Sequence, residues 1–328
     1  MARRRRRPRR RGLFAISAFL AIGGMYWVYS IRDEPVEFVT SDTPLVNARP
    51  EDPAAASAMP IGVSEKGSDP QQQASELAAG RDRAQKLMAS GRQAALDGDL
   101  VVARSQFNEA FGLAIPIDER IELRAELTRL ADETVFSSRI LQDDPLVTSY
   151  IIAPGDTLAK IAKAHDVTTG LLARINDIAN PNVIRAGRRI KIINGPFRFD
   201  ICKADYTLDI YLRDTFLRQY PVGLGAADST PTGEWRATDK LVNPVYYPPR
   251  GGDIIAADDP ENPLAERWIG LEGTAGAAVG MERYGIHGTI DPDSIRRSTT
   301  LGCIRLFNED VEFLYDLAVP QKTVVLVR

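Results

Sequence analysis

The spacing of apolar residues changes character several times along the chain, and each change marks a different element. Residues 13–31 (LFAISAFLAIGGMYWVYSI) run without a formal charge and end at Arg32 and Asp33. About 20 apolar residues span a bilayer core as a helix, so this run predicts a transmembrane segment. Residues 32–70 have no hydrophobic period and are rich in Pro, Ala, Ser, Asp and Glu, which predicts a disordered linker. Over 71–140 the apolar residues fall at helical spacing. Leu77, Ala84, Leu87, Met88, Ala94 and Leu96 precede the break Asp97-Gly98-Asp99. Val102, Ala103, Phe107, Ala110 and Phe111 follow it, and Leu123, Leu127 and Leu130 recur after Pro116. Residues 149–194 predict a compact unit: a strand at 150–153, a turn at Pro154-Gly155-Asp156, and Thr157 capping a helix that runs to 165. A second helix over 169–176 and a strand over 189–193 complete it. From 197 the pattern alternates (Phe199, Ile201, Leu208, Ile210, Leu212, Phe216, Leu217, Tyr220, Val222), the mark of antiparallel β structure. A short helix over 310–318 and a last strand over 324–327 close the chain.

Length and composition bound what these elements can be. The 328 residues allow two or three domains, and 44% hydrophobic residues suffice for a sizeable core. The net charge of −3 hides an asymmetry, because eight arginines fall within residues 3–11. The other 33 basic residues face 44 acidic ones, which argues against nucleic acid as a partner. Arginines directly before an apolar run read as a topology signal, keeping residues 1–12 in the cytoplasm. Tyr26, Trp27 and Tyr29 suit the far interface. A cleaved signal peptide is the alternative, but no small-x-small site follows Ile31. The expected topology is therefore an uncleaved signal anchor with the remainder outside the cytoplasm. Cys202 and Cys303 could pair there, but pairing would consume the only candidate thiol nucleophile.

That thiol lies in GIHGTIDPDSIRRSTTLGCIRLFN at 285–308, sixteen positions after His287, one of only two histidines. A thiol becomes nucleophilic beside an imidazole base, and glycines such as Gly288 and Gly302 allow a substrate carbonyl to approach. A core histidine near a buried free cysteine is the bland alternative. A zinc hydrolase would need three or four clustered ligands, and His165 and His287 are the whole histidine supply, so neither metal nor cofactor is expected. Ser294 and Ser298 lack a glycine-flanked elbow, which disfavours a serine hydrolase. A cysteine acyl-transfer site fits: His287 as base, Cys303 as nucleophile, and the Gly302 and Cys303 amides as oxyanion donors.

Three resemblances extend this reading. AALDGDLVVARSQFNEAF, at 94–111, resembles one tetratricopeptide-like helical hairpin, implying either a spacer or a module for a protein partner. Residues 149–194, with GDTLAKIA, Asn176 and IRAGRRIKI, resemble a LysM domain, a βααβ module that binds N-acetylglucosamine-containing glycans. This implies a groove formed by Gly155, Asp156, Thr157 and Leu158 with the loop from Asn176 to Pro181. Residues 198–328 resemble the L,D-transpeptidase catalytic domain family, through the His-Gly pair, the Thr300 to Arg305 block, YPVGLG at 220–225, TPTGEW at 230–235, NPVYYPP at 243–249 and ENPL at 261–264. The resemblance implies a Gly288 carbonyl that orients the imidazole. Thr300 stands in the Ser/Thr position, Arg305 shapes the site or holds a substrate carboxylate, and Asn308 braces the loop. Leu301 departs from the family, which has a histidine there, and Arg296-Arg297 stands where a glycine is frequent. The implied fold is multidomain: a predominantly β catalytic domain preceded by a βααβ LysM domain, an α-helical spacer and a transmembrane helix. The implied activity is 3→3 cross-linking of peptidoglycan stem peptides by a bacterial membrane protein, with L,D-carboxypeptidase action or an inactive wall anchor as alternatives.

Overall fold

The computed structural model describes residues 70–249 and 251–328; the expected membrane span and linker lie outside the described residues. Among the described residues no helix is long and apolar enough to cross a membrane. Three helices come first: α1 (Pro70–Leu96), α2 (Leu100–Phe111) and α3 (Ile117–Thr134). Ala84, Met88, Ala103, Phe107, Ala110, Leu123, Leu127 and Leu130 are buried among them. Gly91 lets α1 and α2 close, since a Cβ there would stand 2.7 Å from the Phe107 ring. Leu77, Leu96 and Val102 keep the helical period yet are exposed. At 1.5 Å per residue α1 is about 40 Å long and α2 about 18 Å, so α2 cannot cover the whole length of α1.

The next unit pairs β1 (Val147–Ile151) antiparallel with β2 (Arg189–Ile193) and packs α4 (Leu158–Ala164) and α5 (Thr169–Ile175) between them in sequence. Thr157 and Thr168 are the helix caps, their hydroxyls accepting from Lys160 N and Leu171 N. Each satisfies an amide that the first helical turn leaves without a partner. The first strand begins three residues before the expected position.

The remaining chain builds an eight-stranded sheet from β3 (Phe197–Cys202), β4 (Thr207–Leu212), β5 (Thr215–Pro221), β7 (Gly233–Val242), β8 (Arg267–Gly276), β9 (Tyr284–His287), β11 (Ile304–Arg305) and β12 (Val324–Val327). Their order is β11-β9-β8-β7-β12-β3-β4-β5. Short β6 (Leu224–Gly225) and β10 (Ser298–Thr300) pair separately, and α6 (Asn308–Leu317) follows β11. The alternating residues Phe199, Ile201, Leu208, Ile210 and Leu212 are buried as expected of a half-covered sheet. The antiparallel expectation is corrected at three places: β9–β11, β3–β12 and β6–β10 are parallel. These partners are joined by long crossovers, which a local alternation pattern does not reveal. The helices cover the β5 edge. Asn108 donates to Asp214 O at 3.0 Å and accepts from Phe216 N at 2.9 Å, which satisfies edge groups that would otherwise be free to pair with another chain.

Candidate active site

The parallel pairing of β9 with β11 sets His287 level with Arg305 and Ile286 level with Ile304. Parallel neighbours need a crossover of about a dozen residues or more, and 288–303 is that crossover. The spacing of His287 and Cys303 is therefore one crossover length. Cys303 sits one position before β11, and alternate residues of a strand share a face. His287, Cys303 and Arg305 accordingly line the same cavity, of about 830 Å³. Cys303 and Cys202 are both free thiols. Cys202 lies at the end of β3 and donates to the Asp205 carboxylate, apart from this cavity.

The imidazole is held at Nδ1 and on one face. His287 is 3% exposed, and its Nδ1 lies 2.6 Å from the Gly288 carbonyl. A carbonyl only accepts, so Nδ1 carries the proton and Nε2 keeps its lone pair. The Trp268 indole stacks on the ring at 5.9 Å between centroids. That indole also occupies the space a side chain on Gly285 would need, which explains glycine there. Burial pushes the His287 pKa down to about 4; the Gly288 hydrogen bond opposes the shift and the Arg305 charge adds to it. Burial likewise raises the Cys303 pKa, against the Gly285 N–H bond and the Arg305 charge. The resting pair is thus neutral thiol and neutral imidazole rather than a preformed ion pair.

The turn before Cys303 is fixed by two threonines. Thr300 Oγ1 accepts from Gly302 N at 3.0 Å and donates to Cys303 O at 2.7 Å. Thr230 Oγ1 accepts from Gly225 N at 2.8 Å and donates to Gly302 O at 2.9 Å. Gly302 has φ +133°, and a Cβ there would meet the Tyr284 ring at 2.5 Å and Ser229 O at 2.8 Å. The Gly302 amide faces Thr300, so its expected part as an oxyanion donor is corrected. Asn308 Oδ1 accepts from Thr289 N at 2.8 Å and abuts Gly288, leaving no room for a side chain there. Arg305 lines the cavity with its Nε buried and without a partner, and no carboxylate pairs with its guanidinium among the described residues. Leu301 lies at the rim, half exposed.

Sequence reasoning missed several contributors. The segment between β7 and β8 roofs the cavity with Val245, Tyr246, Tyr247 and Leu264. Asn262, 2% exposed, ties this roof by donating to Pro244 O at 2.8 Å and Ala256 O at 3.0 Å. The NPVYYPP and ENPL stretches were visible in the sequence, though nothing local showed that they line the same cavity as the thiol. Trp268 carried no signal beyond its rarity. Among the described residues, no three His, Cys, Asp or Glu side chains are grouped to hold a metal.

The expected sugar groove is corrected in part. Asn176 is buried, with Nδ2 donating to Leu172 O and Lys191 O and Oδ1 accepting from Lys191 N, so it ties α5 to β2. Leu158 is a core residue, 1% exposed. Asp156 accepts from Tyr150 OH and Ala153 N and so holds the turn together. Gly155 and Thr157 are exposed and Pro181 is half-buried. These three remain available to a ligand.

A family model described as the L,D-transpeptidase catalytic domain matches residues 196–327, and a LysM domain model matches 150–192. The protein named YkuD in Bacillus licheniformis is 32% identical over 186 residues, covering 54% of this chain and 97% of that one. YkuD of Bacillus subtilis is 30% identical over 190 residues, covering 55% and 98%. An L,D-transpeptidase structure from Mycobacterium smegmatis is 17% identical with a TM-score of 0.30, covering 43% of this chain and 63% of that one. The chain therefore belongs to the L,D-transpeptidase family and carries a LysM domain immediately before its catalytic domain.

Proposed function

We propose that the protein is a cysteine-dependent peptidoglycan L,D-transpeptidase. The observation that carries this reading is Cys303, next to β11, and an uncharged, tautomer-fixed His287 on its parallel neighbour β9, both lining one cavity. His287 Nε2 takes the Sγ proton as Sγ attacks the carbonyl at the L-centre of diaminopimelate in a tetrapeptide stem. The Cys303 amide remains as the oxyanion donor of this turn, and Arg305 holds a substrate carboxylate. The C–N bond to terminal D-alanine breaks, the leaving amine takes the proton from Nε2, and a thioester remains. An amine of a second stem then attacks the thioester and gives its proton to Nε2. The C–S bond breaks, the thiol is restored, and a 3→3 cross-link is complete. The exposed LysM loops grip the glycan, and residues 13–31 anchor the protein in the bacterial cytoplasmic membrane with the enzyme outside.

The test is incubation of the full chain with disaccharide-tetrapeptides, followed by mass spectrometry of the products. Free D-alanine and 3→3 dimers are expected, and both should vanish in Cys303→Ala and in His287→Ala. D-Alanine without dimers would make the enzyme a carboxypeptidase. Wall binding without turnover would leave it an anchoring protein.

A further inference from the structure

Only residues 194–196 separate the LysM strand β2 from the first strand of the catalytic domain, and the LysM domain is gripped from two sides. On one side α5 lies on α6. Arg174 gives two N–H groups to Asp316 Oδ2 at 2.9 and 2.7 Å, and the Thr168 hydroxyl donates to the Asp316 carbonyl. Gly170 has no side chain because a Cβ there would stand 2.5 Å from that carboxylate. On the other side Lys191 of β2 is fully buried, its ammonium donating to Thr134 O and, at 2.9 Å, to Ser137 O beyond the end of α3. A buried Arg104–Asp144 pair at 2.6 Å fixes the segment that leads from α3 into β1. One hydrophobic cluster continues through all three parts, from Ala131 through Leu171 and Ile192 to Phe199 and Leu314. Undocking would expose that apolar cluster to water and break the Lys191 bonds to Thr134 O and Ser137 O.

The loops at 153–157 and 179–183 take no part in this docking. Pro154, Gly155 and Thr157 on the first, with Asn180 and Val183 on the second, stay exposed. A flexible tether would let such loops visit many distances from the active site, whereas a docked domain holds them at one.

We propose that the LysM domain is a fixed arm rather than a tether, so that the enzyme selects donor stems by their offset along the glycan from the sugars its exposed loops hold, with Arg174, Asp316 and Lys191 as positioning residues. This inference rests on the transpeptidase reading above.

The full chain is compared with a variant carrying Arg174→Ala, Asp316→Ala and a Gly/Ser insertion of about ten residues between Asn194 and Gly195. Each is given soluble disaccharide-tetrapeptide and, separately, polymeric peptidoglycan. Turnover of the soluble substrate should stay within about twofold, which reports an intact catalytic domain, while turnover on polymer should fall about tenfold. The glycan lengths between new cross-links should broaden. If the insertion does not fold, an Arg174→Ala, Asp316→Ala, Lys191→Ala variant, which removes the polar contacts on both sides of the domain, is read by the same ratio and the same length distribution. A wild type active on both substrates, with ratio and distribution unchanged in the variant, would overturn the fixed arm and spare the transpeptidase reading. A wild type inert on both would defeat that reading, and this one with it.

Discussion

Lowering the pH from 7 to 4 should destabilise the wild-type protein by about 3 kcal/mol more than it destabilises a His287→Asn variant. The imidazole is buried, its Nδ1 is already bonded to a carbonyl, and a charged ring would also feel the Arg305 charge. Burial therefore lowers its pKa from 6.5 to about 4. Each unit of difference between folded and unfolded chains is worth about 1.4 kcal/mol. The unfolded chain binds this proton below pH 6.5 and the native protein only below about 4, so the group's share of stability is lost as pH falls through that window. Its slope fades away above about pH 7.5. Urea denaturation at several pH values between 7.5 and 4 measures the two slopes, and the carboxylates common to both proteins cancel in the difference. Parallel curves would refute the buried neutral imidazole. A reversed difference would indicate a native imidazolium–thiolate pair, whose histidine pKa lies above 6.5.

Gly288→Ala places a methyl group against Asn308 Oδ1 and Ala265; it should cost about 1–3 kcal/mol in thermal melts and slow acylation as the carbonyl leaves Nδ1. Thr300→Val leaves the Gly302 amide without an acceptor and the Cys303 carbonyl without a donor, for a loss of about 1–3 kcal/mol, while Thr300→Ser should keep both bonds and most of the activity. Arg305→Ala should lower kcat/KM for donor stems by about ten- to a hundredfold through loss of a charge-assisted bond, and donors lacking the carboxylate should be indifferent to it. Equal losses on both donors would remove Arg305 from substrate binding.

The chemistry was more legible than the architecture that delivers it. His287, Gly288, Gly302 and Cys303 fall within one short stretch, so their types and spacing could be weighed together. The parallel crossover that brings them to one cavity could not, because alternation looks the same in parallel and antiparallel edges. The LysM elements were readable from period and caps, yet Asn176 and Leu158 were assigned to the sugar when both point into the core. A motif fixes position along the chain and leaves side-chain direction open. The buried charges were invisible for a related reason. Arg104 finds Asp144 forty residues away, and Lys191 finds Thr134 fifty-seven away, so neither partner sits in any local window. Thr230, in the recognisable TPTGEW stretch, shows its use only once Gly225 and Gly302 are beside it.

The most direct test is to look for the covalent link itself. The full chain is mixed with a disaccharide-tetrapeptide, quenched in acid within the first turnovers, and analysed by intact-mass and peptide mass spectrometry. The account predicts an added mass equal to the stem without its terminal D-alanine, located on Cys303 and released by hydroxylamine. Release of D-alanine with Cys303 unmodified, or with the acyl group on any other side chain, would contradict it.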